Sequence, residues 1–264
     1  MSLLSFFTEE LALDLGTVNT VMMYKCQCVL NEPSIIAVDK DTLHMVAVGT
    51  EAKQMQENGD DNLLIASPLR EEKIADLHYV EMMLKKFTRM AVNRIHRLYP
   101  PLKMAVCVPT NITEEAEKVT RDMLQRCGVQ KVQFIYRPIA AAIGIGLDIL
   151  SPNCYFVINI GEETCEVAVV TLGAIITSRC SPSSELEKTI MEILENLQPE
   201  VAADIYESGI HLVGDGAMLQ GLDKRMSDLT HLPVHIAPNP QTITALGASM
   251  AQKNGLDKMM FLLK

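Results

Sequence analysis

LALDLGTVNT, residues 11–20, is the stretch on which the reading of this chain turns. Apolar Leu11 to Leu15 predict a strand that carries Asp14 near its end and runs into a turn of Gly16, Thr17, Val18 and Asn19. Glycine lets backbone come close to a ligand, and the hydroxyl and amide side chains after it suit an anion pocket. A carboxylate at a strand tip beside such a turn suits a water-bridged metal ion. Gly-Thr turns also occur in purely structural roles, but here the pattern recurs. YFVINIGEET (residues 155–164) is a second apolar strand entering a glycine turn, and IHLVGDGA (residues 210–217) is a third, with Gly214 and Gly216. Three such turns predict two related halves that face a shared cleft.

Further pieces follow in a fixed order: NEPSIIAVD, VGTEAK, VPTNITEEAE, the PIAAAIGIGL helix, EVAVVTLG and GIHLVGDGAMLQGLD. In that order the chain resembles the bacterial actin MreB from about Leu11 to Lys253. The resemblance implies an α/β, actin-like (ribonuclease H-like) two-lobed fold, which sugar kinases and Hsp70 share, so fold alone does not choose among functions. It assigns residues 8–30 and 69–148 to a first lobe, 31–68 to a small inserted subdomain and 149–264 to a second lobe. It also implies a nucleotide cleft, degenerate here, of Asp14, Gly16, Thr17, Asn19, Asn159, Gly161, Glu162, Glu163, Thr164, Gly214, Asp215 and Gly216.

The departures from that family carry the functional expectation. In the family the hairpin EVAVVTLGAIITS leads into an inserted subdomain that closes the adenine side and adds a filament contact. Here only Ser181-Pro182-Ser183-Ser184 joins Cys180 to the next helix, so the second half lacks its inserted subdomain. The family's water-orienting glutamate is replaced by Arg137, and a guanidinium cannot accept a proton at ordinary pH. The aspartate of the second turn is Asn159, and the glycine run there is Gly161-Glu162-Glu163-Thr164. A like charge ~4 Å from a phosphate costs about 4 kcal/mol at an effective dielectric of ~20. Asp215 interrupts the third glycine turn. The expectation is therefore no catalytic residue, no metal site, lost ATP hydrolysis, and ATP with magnesium bound weakly or not at all. Two placements are open for Arg137: a built-in cation paired in the cleft where a metal would sit, or a side chain in solvent.

Composition narrows the partners. A net charge of −10 over 264 residues argues against nucleic acid. Seven cysteines without a CxxC pair read as reduced thiols, with Cys26 and Cys28 on one face of a strand. No apolar run approaches the ~18 residues of a membrane span, and no cleavable leader is evident, so a cytoplasmic protein is expected. Two short patches suit a membrane surface instead. One is Leu3, Leu4, Phe6 and Phe7; the other, by the resemblance, is Leu98-Tyr99, flanked by Arg94, His96, Arg97 and Lys103. Each could also simply pack on the body.

Periodicity places the remaining elements. Residues 11–66 read as β-rich, broken by the loop QENGDDNLL; Ile74 to about His96 reads as an amphipathic helix with Asp76 near its start. Thr113–Arg126 follows as a helix, Ser184 with Glu187 reads as a capping box for a helix through Leu197, and another helix runs near Ala217–Leu229. The leading expectation is an MreB-like cell-shape protein that is nucleotide-independent and peripheral to the inner membrane. Its partners would be itself or a full-length MreB relative, cell-wall elongation proteins and the membrane surface. The alternative is an ATP-binding, filament-forming member with an unusual site. A sugar-kinase-like or Hsp70-like ATPase would lack the carboxylates that phosphoryl transfer needs.

Overall fold

The computed structural model describes residues 8–70, 73–95 and 101–255. Both membrane patches, Leu3, Leu4, Phe6 and Phe7 as well as Leu98 and Tyr99, lie outside those residues.

The first lobe opens with an antiparallel meander, β1 (Glu9–Leu15), β2 (Asn19–Tyr24) and β3 (Gln27–Pro33). A small three-stranded sheet with one helix follows: β4 (Ile36–Asp39), β5 (Met45–Val48), α1 (Thr50–Asn58) and β6 (Leu63–Ala66). A short hairpin, β7 (Leu69–Arg70) and β8 (Lys73–Ile74), leads to α2 (Leu77–Arg94). Then come β9 (Leu102–Val108), α3 (Glu114–Arg126), β10 (Val129–Tyr136) and α4 (Arg137–Gly144). All seven residues of β9 are buried, as the apolar run of a central parallel strand requires. It pairs in parallel with both β1 and β10, giving the order β10-β9-β1-β2-β3.

The second lobe repeats this plan. Its meander is β11 (Tyr155–Ile160), β12 (Thr164–Thr171) and β13 (Ala174–Pro182), followed by α5 (Leu186–Glu195) and α6 (Pro199–Ser208). β14 (Ile210–Val213), α7 (Leu222–Thr230), β15 (Val234–Ile236) and α8 (Ile243–Lys253) complete it, with the sheet order β13-β12-β11-β14-β15. In each lobe a three-stranded meander is extended on its first strand by two parallel strands.

Helices α4 and α8 join the lobes. Their apolar faces share one core with residues of both large sheets, among them Ala12, Cys107, Val157 and Val213. The helices touch because glycine stands at the crossing: a Cβ on Gly247 would collide with the Ala140 carbonyl, and one on Gly144 with that of Ile243. The small-residue helix thus lies where close packing demands small residues.

Some local expectations are corrected. Thr50–Asn58 is a helix, although the stretch continued an apolar β-rich pattern; it ends on Gly59 in the left-handed conformation. Cys26 lies in the β2–β3 turn with Lys25, both at positive φ, so it does not share a strand face with Cys28 on β3. The capping box of Ser184 and Glu187 is not formed. Ser183–Glu185 is a 3-10 turn, and α5 starts at Leu186 without a side-chain cap. The helix after the third glycine turn begins at Leu222, because Asp215–Met218 forms a 3-10 turn first. By contrast Asp76 caps α2, accepting from the Tyr79 amide at 2.9 Å.

Candidate functional site

The cleft is built where the meanders of the two lobes turn. Asp14 sits near the end of β1, opposite Val21 on β2 and Cys107 on β9. Asn159 holds the matching place on β11, opposite Glu166 on β12 and Val213 on β14. Each turn closes on itself: the Gly16 amide donates to the Asn19 carbonyl at 3.0 Å, and the Gly161 amide to that of Thr164 at 2.8 Å. The first turn is braced from below by Ser34, whose hydroxyl donates to the Gly16 carbonyl at 2.7 Å and bonds Thr20 Oγ1 at 2.8 Å.

Arg137 opens α4 at the end of β10, with Pro138 fixing the first helical turn. Its guanidinium crosses the end of β9 to reach β1. Nε lies 3.3 Å from Asp14 Oδ1, and an Nη2 hydrogen goes to the Leu15 carbonyl at 3.0 Å. The side chains are 5% and 16% exposed, so this is a buried pair and the solvent placement of Arg137 is excluded. Of the two openings the sequence left, the ion pair is the one the fold makes.

The third turn closes the floor. Gly214, at φ 89°, donates its amide to the Pro240 carbonyl at 2.9 Å. A Cβ at Gly214 would stand 2.5 Å from Asn159 Oδ1, so only glycine lets this turn abut the end of β11. Gly216 packs behind, against the Ile160 side chain.

Asp14, Gly16, Thr17, Asn19, Arg137, Asn159, Gly161, Gly214 and Asp215 therefore line one cavity, of about 40 Å³. With the guanidinium against it, the Asp14 carboxylate is already paired, so these residues do not fit the water shell of a divalent ion. Glu162 and Glu163 are exposed, and Glu162, Glu163, Thr164 and Gly216 do not line this cavity. Glu163 and Thr164 instead face a separate groove of about 900 Å³ between α3 and the β12–β13 hairpin, which shares Arg137, Asn159 and Gly161 with the cleft.

Two contacts here were not foreseen. Buried Glu166 accepts from the Thr110 amide at 2.6 Å, tying β12 of one lobe to the loop after β9 of the other. The signal was an acid inside the otherwise apolar strand CEVAVV. Burial, and next the charge of Glu166, push the neighbouring Cys180 thiol up to about 12, so that thiol stays protonated. Ser183, in the shortened link, donates its amide to the Glu163 carbonyl at 2.9 Å and its hydroxyl to that of Gly161 at 3.1 Å. The link thereby straps the second turn.

The basic cluster expected around Leu98-Tyr99 is smaller than its sequence suggests. Arg94 donates to the Val29 carbonyl at 2.8 Å, and Lys103 is buried against Glu10 at 3.1 Å. Both charges are turned toward the protein. Among the described residues no helix is long and apolar enough to cross a membrane, and no group of three or more His, Cys, Asp or Glu could hold a metal ion.

Comparison with known proteins agrees with this architecture. A family model described as MreB/Mbl protein matches residues 8–185 and 180–259, two segments that meet where β13 passes into α5. The cell shape-determining protein Mbl of Bacillus subtilis (strain 168) is 28% identical over 331 aligned residues, covering 96% of this chain and 98% of Mbl. That alignment is longer than the 264 residues of this chain, as a missing insertion requires. The cell shape-determining protein MreB of Escherichia coli (strain K12) is 28% identical over 93% of each chain. Among solved structures, MreB5 of Spiroplasma citri bound to AMPPNP superposes with a TM-score of 0.86 at 22% identity, over 96% of this chain and 98% of that one. The MamK double helical filament gives 0.74 at 14% identity, over 93% and 99%. The fold is actin-like.

Proposed function

The chain belongs to the MreB/Mbl protein family, and on that premise we propose that it is a cell-shape cytoskeletal protein that works through its surfaces, without ATP turnover, at the inner face of the membrane. The observation that carries this reading is the buried pair of Arg137 and Asp14. A guanidinium stays protonated at any ordinary pH, so it can neither act as a base nor orient water as a carboxylate would. Its charge lies against the one strand-end carboxylate on which a metal's water shell would depend, and the remaining space is about 40 Å³.

Without a nucleotide cycle, function rests on the outer faces of the lobes. We take the family's filament faces to be largely present, except at the shortened link near Ser181–Ser184. MamK is a double helical filament; for this chain we take assembly with itself or with a full-length relative as the working mode, with cell-wall elongation proteins as further partners. Membrane contact would come through Leu3, Leu4, Phe6 and Phe7 and through Leu98-Tyr99. With Arg94 and Lys103 turned inward, apolar insertion is the larger part of that contact.

Calorimetric titration of the purified protein with ATP, with and without magnesium, is the deciding experiment. No heat and no thermal shift are expected. Saturable, magnesium-dependent binding would overturn the reading in favour of an ATP-binding, filament-forming protein with an unusual site. Flotation with anionic liposomes, comparing Phe6→Glu with Leu98→Glu, tests the membrane part; unchanged flotation in both would remove it.

A further inference from the structure

The second lobe ends in a pair of imidazoles that the cleft does not use. His211 on β14 and His235 on β15 are direct partners in the parallel ladder, so both side chains leave the same face of the sheet. Their ring centroids are 5.3 Å apart with the planes 29° from parallel. β15 is the outermost strand and His235 is exposed, which opens the pair to solvent at the sheet edge.

The two nitrogens of His211 differ in a telling way. Its ring donates a hydrogen bond to the Ser208 backbone carbonyl, whereas Nε2 is buried with no hydrogen-bond partner. The proton therefore sits on Nδ1, and Nε2 presents a bare lone pair. Metal-ligating histidines characteristically donate their other N–H to a carboxylate or a backbone carbonyl, which fixes tautomer and ring orientation. Stacking of the two rings explains the packing but leaves that buried lone pair unused, which costs free energy.

We propose that His211 and His235 form a site for a borderline divalent transition-metal ion of the Zn²⁺ and Cu²⁺ class, with water completing the coordination shell. Imidazole nitrogens bind such ions at about 2.0–2.1 Å, so the exposed His235 ring turns to bring its nitrogen to the ion beside His211 Nε2. Gly209 lets the His235 ring lie close to the end of β14, since a Cβ there would stand 3.1 Å from His235 Nε2. With two protein ligands the affinity is modest, and hard ions such as Mg²⁺, which prefer oxygen, are not taken. The site is independent of the nucleotide cleft and of its reading.

The test is calorimetric titration of the full chain with ZnCl₂, CuCl₂ and MgCl₂. It is done in a Cys26→Ser, Cys28→Ser background, since Cys28 is an exposed free cysteine whose sulfur would compete for the ion. One ion per chain is expected, Cu²⁺ tighter than Zn²⁺, with no magnesium signal. His235→Ala, at an exposed position that leaves the melting curve in place, should weaken uptake at least tenfold. Zinc should also shift the ring resonances of His211 in the parent and not in the His235→Ala protein. Absence of saturable uptake, or equal uptake in the His235→Ala protein, overturns the proposal.

Discussion

The two lobes share one sheet order and part company after the third strand of each meander. In the first lobe β3 feeds a second layer, the small sheet of β4, β5 and β6 with α1. Glu32 pins that layer by accepting the Thr50 amide at 2.9 Å and the Thr50 hydroxyl at 2.6 Å. In the second lobe β13 passes through one 3-10 turn straight into α5, and its outer edge stays bare. Ile176 there is 50% exposed, and a groove of about 680 Å³, spanned by the Arg179–Glu192 ion pair, separates β13 from α5.

The same asymmetry runs into the cleft. The lobe that keeps its insertion keeps a carboxylate at the end of its first strand, Asp14, and supplies Arg137 to neutralise it. The lobe that lacks one has Asn159 at the matching place and exposed glutamates in its turn. On the reading proposed above, a nucleotide site that needs matched contributions from both sides of the cleft would be weakened by a change on either side. In the first lobe the Asp14 carboxylate is paired by a cation from the same lobe, Arg137.

The sharpest way to break this comparison is Arg137→Ala. It leaves Asp14 buried against an empty space, and removing one partner of a buried pair costs about 3–5 kcal/mol. A melting temperature close to that of the parent would reject the pairing. Adding Asp14→Asn to the same protein should recover much of the loss, since no charge is then left uncompensated.

Next in size is Gly247→Ala, which pushes a methyl into the Ala140 carbonyl at the one helix crossing both lobes share. Overpacking of that kind costs about 1–3 kcal/mol, and denaturant unfolding should record it; alanine at exposed Gly59 meets no neighbouring atom and carries only the strain of its left-handed backbone, about 1 kcal/mol.

The second lobe should carry an acid sensitivity of its own. His211 has a folded pKa of about 4 against an ordinary 6.5, because burial disfavours its cation. The unfolded chain therefore takes up the proton first. This contribution is complete above pH 6.5 and is lost as the pH falls toward 4. Over that window the melting temperature of His211→Gln should decline less steeply than that of the parent; parallel slopes would assign the decline to other groups.

The smallest effect concerns the helices that enter each lobe. Asp76→Ala removes the α2 cap and should cost about 1 kcal/mol in chemical denaturation. Ser184→Ala, ahead of an α5 that has no side-chain cap, should stay within about 0.5 kcal/mol. Equal losses would mean that Ser184 caps α5 after all.

Much of the fold was legible because it is written locally. Alternating or continuous apolar runs marked the strands of both meanders, and Asp76 and Thr113 marked helix starts that the structure keeps. The misses are places where tertiary context outweighs a local pattern. Thr50–Asn58 follows two β-rich runs and has only Ala52 fully buried, so its helical stripe is faint. Ser184 carries a capping-box spacing, yet the chain there is held in a 3-10 turn as Ser183 bonds the second glycine turn.

The sequence by itself determined the two-lobed plan and the short run from Cys180 into the next helix, and it showed which residue types stand in the three glycine turns. Those are matters of residue type and order. Only the tertiary structure decided where the unusual charges go. Arg137 and Asp14 are 123 residues apart and meet because β1 and β10 flank β9 in parallel. Glu166 meets Thr110, and His211 meets His235, for the same kind of reason. Pairing across a sheet depends on strand order and register, which are settled when the lobes pack and not by any stretch of chain alone.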